Sequence, residues 1–258
     1  MKLTILGSGS AGNASYVETD ETRLLVDAGF SGRQIRQRLA TIGRVPENLT
    51  AILITHEHSD HISGLAAIAE KARLPVYCNR ATMEEIKRTL DVNLDFRLFV
   101  AGGGFEVGDI SVETFSIPHD AQDPVGFVLR TNGGSIGFAT DLGHVTKLVL
   151  ERIRATNALV LESNHDVKML QDCPHRPWSL KQRILSRHGH LSNEAAADCV
   201  AEIMSSDLKH LYLGHLSSDC NKPELAQRVM SKRLQTLGAT HVQLNITSQA
   251  VPCPTLTL

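Results

Sequence analysis

The densest chemistry in the sequence lies between Ala51 and Gly64, A-I-L-I-T-H-E-H-S-D-H-I-S-G, where His56, His58, Asp60 and His61 fall within six positions. Imidazole nitrogens with a carboxylate oxygen and no thiolate suit zinc, with manganese or iron as borderline alternatives. An apolar strand runs into the first histidine. Residues two apart on an extended segment point the same way, so His56 and His58 can close on one ion. Asp60 and His61 come once the chain has turned, at the start of a helix that Asp60 would cap, and they can face a second ion beside the first. In S-I-G-F-A-T-D-L-G-H, Asp141 sits just past another apolar strand. A carboxylate at a strand end can span two ions, which assigns Asp141 as a bridge, with His144 as its competitor.

Other elements must deliver these groups. Lys2 to Leu6 alternates like a strand and enters G-S-G-S-A-G-N, Gly7 to Asn13. The pattern is formally that of a dinucleotide-binding loop, but the next runs, A-S-Y-V-E-T and T-R-L-L-V-D-A-G, have strand composition where that fingerprint needs a helix. The loop reads as a tight connection whose N–H groups either face an anionic oxygen or simply turn the chain. Asp27 ends the next apolar strand, either holding a ligand histidine or capping the helix predicted over Ser31 to Ile42. A helix runs on from the histidine-rich loop to Arg73, and another from about Ala81 to Leu90. Phe96 to Ile117 has a hairpin-like pattern with G-G-G and V-G-D as turns. Val145 to Arg154 is helical. A strand ends in Glu162, Asn164 and His165, which read as rim groups or as a capped loop. His175 to His190 is the one clearly basic segment, with Arg176, Lys181, Arg183, Arg187 and the single Trp178. It suits either phosphate contacts or a solvated amphipathic helix. Ser192 or Asn193 caps the helix after it, and a helix N-terminus beside a hydroxyl is a natural phosphate site. A helix from Pro223 to Thr236 and a strand from His241 to Ile246 close the fold, leaving a peripheral tail after Val251.

The 258 residues are 42% apolar with a formal net charge of -2. That composition fills a sizeable core and excludes a whole-protein field drawing the chain to nucleic acid or anionic membrane, so any such binding must use local patches. Five cysteines without C-x-x-C spacing read as reduced thiols in a cytoplasmic protein. No apolar run approaches membrane-spanning length, and the N-terminus reads as a first strand and not as a signal peptide. No linker or low-complexity run interrupts the chain, so residues 1–258 are expected to form a single domain.

T-H-E-H-S-D-H resembles the H-x-H-x-D-H signature of the metallo-β-lactamase superfamily. That resemblance implies an α+β fold, a four-layer αββα sandwich of two mixed β-sheets flanked by helices, with the site at one end of the sheets. It also implies two divalent metal ions, one held by His56, His58 and His119, the other by Asp60, His61 and His215. Asp141 and a water would lie between them. P-H-D-A-x-D-P-V-G-F around His119 is similar to the phosphodiesterase and nuclease branches. His190, before Leu191 and Ser192, resembles a histidine that approaches the scissile phosphate in the RNase Z group, although Leu191 is interposed here. With G-S-G-S-x-G-N, L-L-V-D-A-G, E-S-N-H-D, G-H-L-S-N and H-L-S-x-x-x-N-x-P-E-L-A, the resemblance extends along nearly the whole chain to the YycJ/WalJ-type group. Cys220 stands where that group's pattern has asparagine. The resemblance implies a phosphodiesterase, of DNA exonuclease type, with nucleic acid as substrate, DNA ahead of RNA, and attack by a hydroxide between the ions. Asp60 and His190 are then the catalytic candidates, with Ser192, Asn193, Asn164, His165 and Arg187 as substrate contacts. The competing expectation is a small-molecule hydrolase acting on a lactone, thioester, β-lactam or cyclic phosphodiester with the same metals.

Overall fold

The computed structural model describes all 258 residues. The first half of the chain supplies β1 (Lys2–Gly7), β2 (Ala14–Glu18), β3 (Arg23–Val26), α1 (Gly32–Thr41), β4 (Ala51–Leu53), α2 (Ser59–Ile62), α3 (Leu65–Ala72), β5 (Pro75–Cys78), α4 (Arg80–Leu90) and β6 (Asp95–Leu98). The second supplies β7 (Gly104–Val107), β8 (Ile110–Ser116), β9 (Val125–Thr131), β10 (Gly134–Ala139), α5 (Lys147–Ile153), β11 (Ala158–Glu162), α6 (Val167–Asp172), α7 (Trp178–Ile184), α8 (Asn193–Ile203), β12 (His210–Gly214), α9 (Pro223–Thr236), β13 (Gln243–Ile246) and β14 (Leu256–Thr257).

Two seven-stranded sheets result, ordered β14-β1-β2-β3-β4-β5-β6 and β13-β12-β11-β10-β9-β8-β7. Each begins antiparallel and turns parallel, from β3 to β6 in the first and from β10 to β13 in the second. Both faces of each sheet are covered, so the central strands are continuous apolar runs whose alternate side chains enter different cores. In β3, Leu24 and Val26 face the other sheet while Leu25 faces α1 and α3. In β11, Ala158 and Val160 face the other sheet while Leu159 and Leu161 face α5, α8 and α9. Three cores therefore separate four layers, helix, sheet, sheet and helix, as the fold expectation requires. All five cysteines are free thiols, and no helix is long and apolar enough to cross a membrane.

Four local expectations need correction. Asp60 is not a cap: His58 occupies the N-cap position of α2 and Asp60 lies in the first turn. The helix expected to run on to Arg73 is two helices, because the chain kinks at Ser63 and Gly64 where Gly64 N–H donates to the Ala28 carbonyl. The G-G-G stretch is not a hairpin turn but the crossing from β6 in one sheet to β7 in the other; only the Val107–Asp109 turn joins a hairpin. The tail is not peripheral, since β14 pairs with β1, Leu3 opposite Leu256, and lines the edge of the first sheet.

Candidate metal centre

The carboxyl ends of the parallel strands from both sheets meet at one end of the sandwich. Beyond β3 stands Asp27, beyond β4 Thr55 and His56, beyond β10 Asp141, at the end of β11 Glu162, and beyond β12 His215. Three of these residues turn sharply as their strands finish: Asp27, Asp141 and His215 have φ of 60°, 58° and 54°. The left-handed region is uncommon for residues with a Cβ, and such conformations persist where surrounding structure over-determines them, often at functional sites. Nothing in the local sequence announces them.

Hydrogen bonds fix which nitrogen of His56, His61 and His119 faces the centre. Asp27 Oδ2 lies 2.8 Å from His61 Nδ1, and its Oδ1 accepts from the Thr55 N–H at 2.9 Å. His61 thereby presents Nε2, which lies 3.2 Å from Asp141 Oδ2 and 3.5 Å from Asp60 Oδ2. Asp27 therefore has the histidine-holding role and not the capping one, for Ser31 caps α1. His119 Nδ1 donates to the Gly189 carbonyl at 3.1 Å, leaving Nε2 3.3 Å from His58 Nδ1. His56 turns Nδ1 to Thr55 Oγ1 at 3.0 Å and presents Nε2. His215 Nε2 lies 3.6 Å from Asp60 Oδ2, and its Nδ1 2.9 Å from Asp141 Oδ1. The glycine-rich loop reaches the centre through Asn13, whose amide Nδ2 lies 3.2 Å from Asp60 Oδ2. The sequence reading missed that contact.

The donor set fits divalent metal, in clusters that share His56. His56, His58 and His119 bring ligand atoms within 4.8 Å of one another, as do His56, His61 and Asp141. Ligands about 2.0–2.1 Å from a tetrahedral ion stand ~3.4 Å apart, and these donor spacings bracket that figure. His56 Nε2 and Asp141 Oδ2 are closed to solvent and make no hydrogen bond within the protein. Leaving such groups buried and unmatched is costly, and a cation satisfies both. Burial and the neighbouring imidazoles push the His56 pKa well below the ordinary value, so the ring is neutral and ready to ligate. Burial opposes charge on His61 and His215, yet the Asp141 carboxylate beside both holds their pKa well above the usual imidazole range. The Asp141 carboxylate thus favours positive charge beside it, which a cation would supply. Asp141, Glu162, His190 and His215 also gather closely, but Glu162 is already engaged. Its Oε2 accepts the Leu142 and Leu191 N–H groups at 2.8 and 3.0 Å, and its Oε1 lies 2.7 Å from His190 Nδ1.

That last pair is the second chemical feature of the site. Glu162 is fully buried, and although burial works against its charge, His190 and His215 hold its carboxyl down to about 2. In return, and against burial, Glu162 raises the His190 pKa. His190 lines a cleft of about 220 Å³ with His58, Asp60, His119, Asp141 and His215. Asn164 lines it too, donating Nδ2 to the His215 carbonyl at 2.8 Å. The other expected substrate contacts lie off this wall. Ser192 caps α8 through its hydroxyl. Asn193 is buried, bonded to Ser163 Oγ at 2.6 Å and Asn221 at 3.0 Å. His165 is 1% exposed, and burial pushes its pKa down to about 4. Arg187 turns outward to His144 Nε2 at 2.9 Å, and His144, held also on the Arg187 carbonyl, stays clear of the ligand clusters. Arg176 and Arg183, from the same basic segment, are the arginines on the cleft wall.

Comparison with known proteins agrees with this geometry. The family profile described as "Beta-lactamase superfamily domain" matches residues 22–215. The chain is 42% identical to "Exodeoxyribonuclease YycJ" of Bacillus anthracis over 92% of its length and 90% of the relative's. It is 42% identical to "Exodeoxyribonuclease WalJ" of Streptococcus pneumoniae over 90% of its length and 88% of the relative's. In fold it superposes on the metallo-β-lactamase fold protein YhfI of Bacillus subtilis with a TM-score of 0.72, covering 98% and 99% of the two chains at 17% identity. Profile, relatives and fold agree, and the chain belongs to the metallo-β-lactamase superfamily, in the group of YycJ and WalJ.

Proposed function

We propose that this protein is a metal-dependent exodeoxyribonuclease of the cytoplasm that hydrolyses DNA phosphodiester bonds from a strand end. The observation that carries the reading is the Glu162–His190 pair opening onto the same cleft as the metal donors. The exodeoxyribonuclease names of the two 42%-identical relatives support DNA over RNA. His56, His58 and His119 would hold one ion, and Asp60, His61 and His215 the other, with Asp141 between them. Zinc suits these ligands, with manganese or iron as the alternatives. When bound, two such ions supply an acidified water and neutralise phosphate charge. The chain's own groups do the rest. Asp60 helps to order the donors around the reacting phosphate. Glu162 would accept the hydrogen bond from His190 Nδ1–H and favour the doubly protonated ring, whose Nε2–H then hands its proton to the departing oxygen. Asn164, on the cleft wall, offers a polar contact to the strand.

The alternative, a small-molecule hydrolase on the same metals, is disfavoured by the cleft wall. Leu180 and Ile184 are its only apolar members, whereas acyl and lactone substrates call for apolar pockets. The test is metal-reconstituted protein against end-labelled single- and double-stranded DNA and RNA, with Asp60→Ala as control. Stepwise release of nucleotides from DNA ends, lost in the control, is expected. Turnover of a thioester or nitrocefin in preference to bis(p-nitrophenyl) phosphate would overturn the reading.

A further inference from the structure

We infer that Arg176 and Arg183 are the seats for the phosphates flanking the scissile bond, so that the substrate is a strand carrying further phosphates and not an isolated diester. The inference rests on the phosphodiesterase reading and specifies what that site accepts.

Of the four basic side chains in the segment, two are spent elsewhere. Lys181 is buried and donates Nζ to the Gln171 carbonyl at 2.6 Å. Arg187 turns to His144. Arg176 and Arg183 alone among the lysines and arginines line the cleft. Each rests on a carboxylate from a different ligand loop. Arg183 Nε bonds Asp120, the residue after His119, and Arg176 Nη2 lies 3.0 Å from Asp219, in the loop after His215. The two guanidinium groups are thus tied to two different ligand loops.

Each pair has one well-exposed partner: the Arg183 side chain is 60% exposed against 30% for Asp120, and Asp219 52% against 21% for Arg176. Ion pairs of this kind hold weakly. Arg176 is also incompletely bonded where it stands, because its Nε, closed to solvent, has no partner. A guanidinium half engaged on a loose carboxylate is matched by a phosphate, which accepts two parallel N–H bonds. The charge balance leads to the same conclusion. Asp60, Asp120 and Asp141 line the cleft with Glu162 behind them, and bound ions would offset the charge of the donors and of one phosphate only. Each neighbouring nucleotide brings another negative charge into an acidic channel. Arg176 and Arg183 are the permanent cations placed to meet it, exchanging Asp219 and Asp120 for phosphate oxygens.

The experiment is equilibrium binding of a fluorescein-labelled ten-nucleotide phosphorothioate DNA to the metal-loaded protein, read by anisotropy. Arg176→Ala and Arg183→Ala should each weaken Kd about tenfold and reduce the slope of log K against log salt by about one. Arg176→Lys and Arg183→Lys, which keep the charge and lose the fork, should fall between. Asp219→Asn, which frees Arg176, should tighten binding about two- to threefold. In turnover, the loss of kcat/KM on a DNA strand should exceed the loss on bis(p-nitrophenyl) phosphate at least tenfold. Kd within twofold of wild type in both alanine variants, or equal losses on the two substrates, overturns the inference. Wild-type protein that binds the strand through these arginines but cleaves neither substrate sinks the nuclease reading and leaves the seats standing. Wild-type protein that does not bind the strand overturns both.

Discussion

Burial works against charge on His190, and a neighbour that solvent never reaches raises its pKa all the same. Glu162 is fully buried, fixed by two backbone N–H groups, and lies 2.7 Å from His190 Nδ1. Asp27 stands in the same relation to His61, so two carboxylates at strand ends orient two imidazoles, which in the proposed mechanism take different tasks, one holding a proton and one a metal. The distinction gives a residue-scale prediction. His190→Ala should lower kcat about 10²- to 10⁴-fold, the usual worth of a positioned general acid, while metal stoichiometry by elemental analysis stays at the wild-type value. Loss of metal in that variant would make His190 a ligand and defeat the assignment. The histidine-rich loop was legible in the sequence because its ligands are contiguous. The tautomers were not, because they depend on Asp27, Thr55 and the Gly189 carbonyl, which come from distant parts of the chain. The Asn13 contact stayed hidden for the same reason, as did the turning of Arg187 away from the cleft while Arg176 and Arg183 line it.

At the scale of elements, the ligand loop is held by backbone approach as much as by side chains. Gly29, just beyond β3, lies so close to α2 that a Cβ there would come within 1.6 Å of the Asp60 carbonyl oxygen and 2.6 Å of the Asn13 N–H. Both are backbone atoms that cannot step aside cheaply. Gly29→Ala should therefore cost about 2–3 kcal/mol in urea titration and lower metal occupancy with it. Wild-type metal content would show that the loop can be displaced without harm to the centre. At the end of β2, Glu18 receives Nε and Nη2 of Arg44 at 2.7 and 2.8 Å and the Tyr16 hydroxyl at 2.8 Å. Arg44 foremost, with Tyr16 assisting and burial opposing, holds its carboxyl down to about 2 against an ordinary 4.5. The folded value lies below the unfolded one, so this stability is complete above about pH 4.5 and is lost as pH falls towards 2. Allowing for solvent around Arg44, Glu18→Gln should cost about 1–2 kcal/mol at neutral pH. The difference from wild type should close on acidification through that window, and a difference independent of pH would exclude the ion pair as its source. Hydrophobic periodicity located nearly all of these elements. It failed at Gly64, at G-G-G and in the tail, where the outcome turns on which distant element the chain meets.

The molecule as a whole is two sheets that share one core and one centre. Val26, Leu53, Phe127, Phe138 and Val160 pack between the sheets, and at their common end the ligands are divided. His56, His58, Asp60 and His61 come after β4 of the first sheet, whereas His119, Asp141 and His215 come after strands of the second. Neither donor set is complete on one sheet, since His119 joins the loop histidines and His215 lies 3.6 Å from Asp60. Ion binding is therefore also a clasp between halves of the chain far apart in sequence. An ion that binds only the folded state at a thousand times its Kd adds about 4 kcal/mol, which for a chain of this size is about 10 °C in Tm. Chelation should lower Tm by about that amount, and readdition of zinc or manganese should restore it. His119→Ala and Asp141→Asn each remove a donor of the second sheet without touching the shared core, and should leave Tm nearly insensitive to chelator. A wild-type Tm that does not move on chelation would mean that the inter-sheet core alone sets the spacing of the donors, with the ions occupying a geometry already fixed by hydrophobic packing.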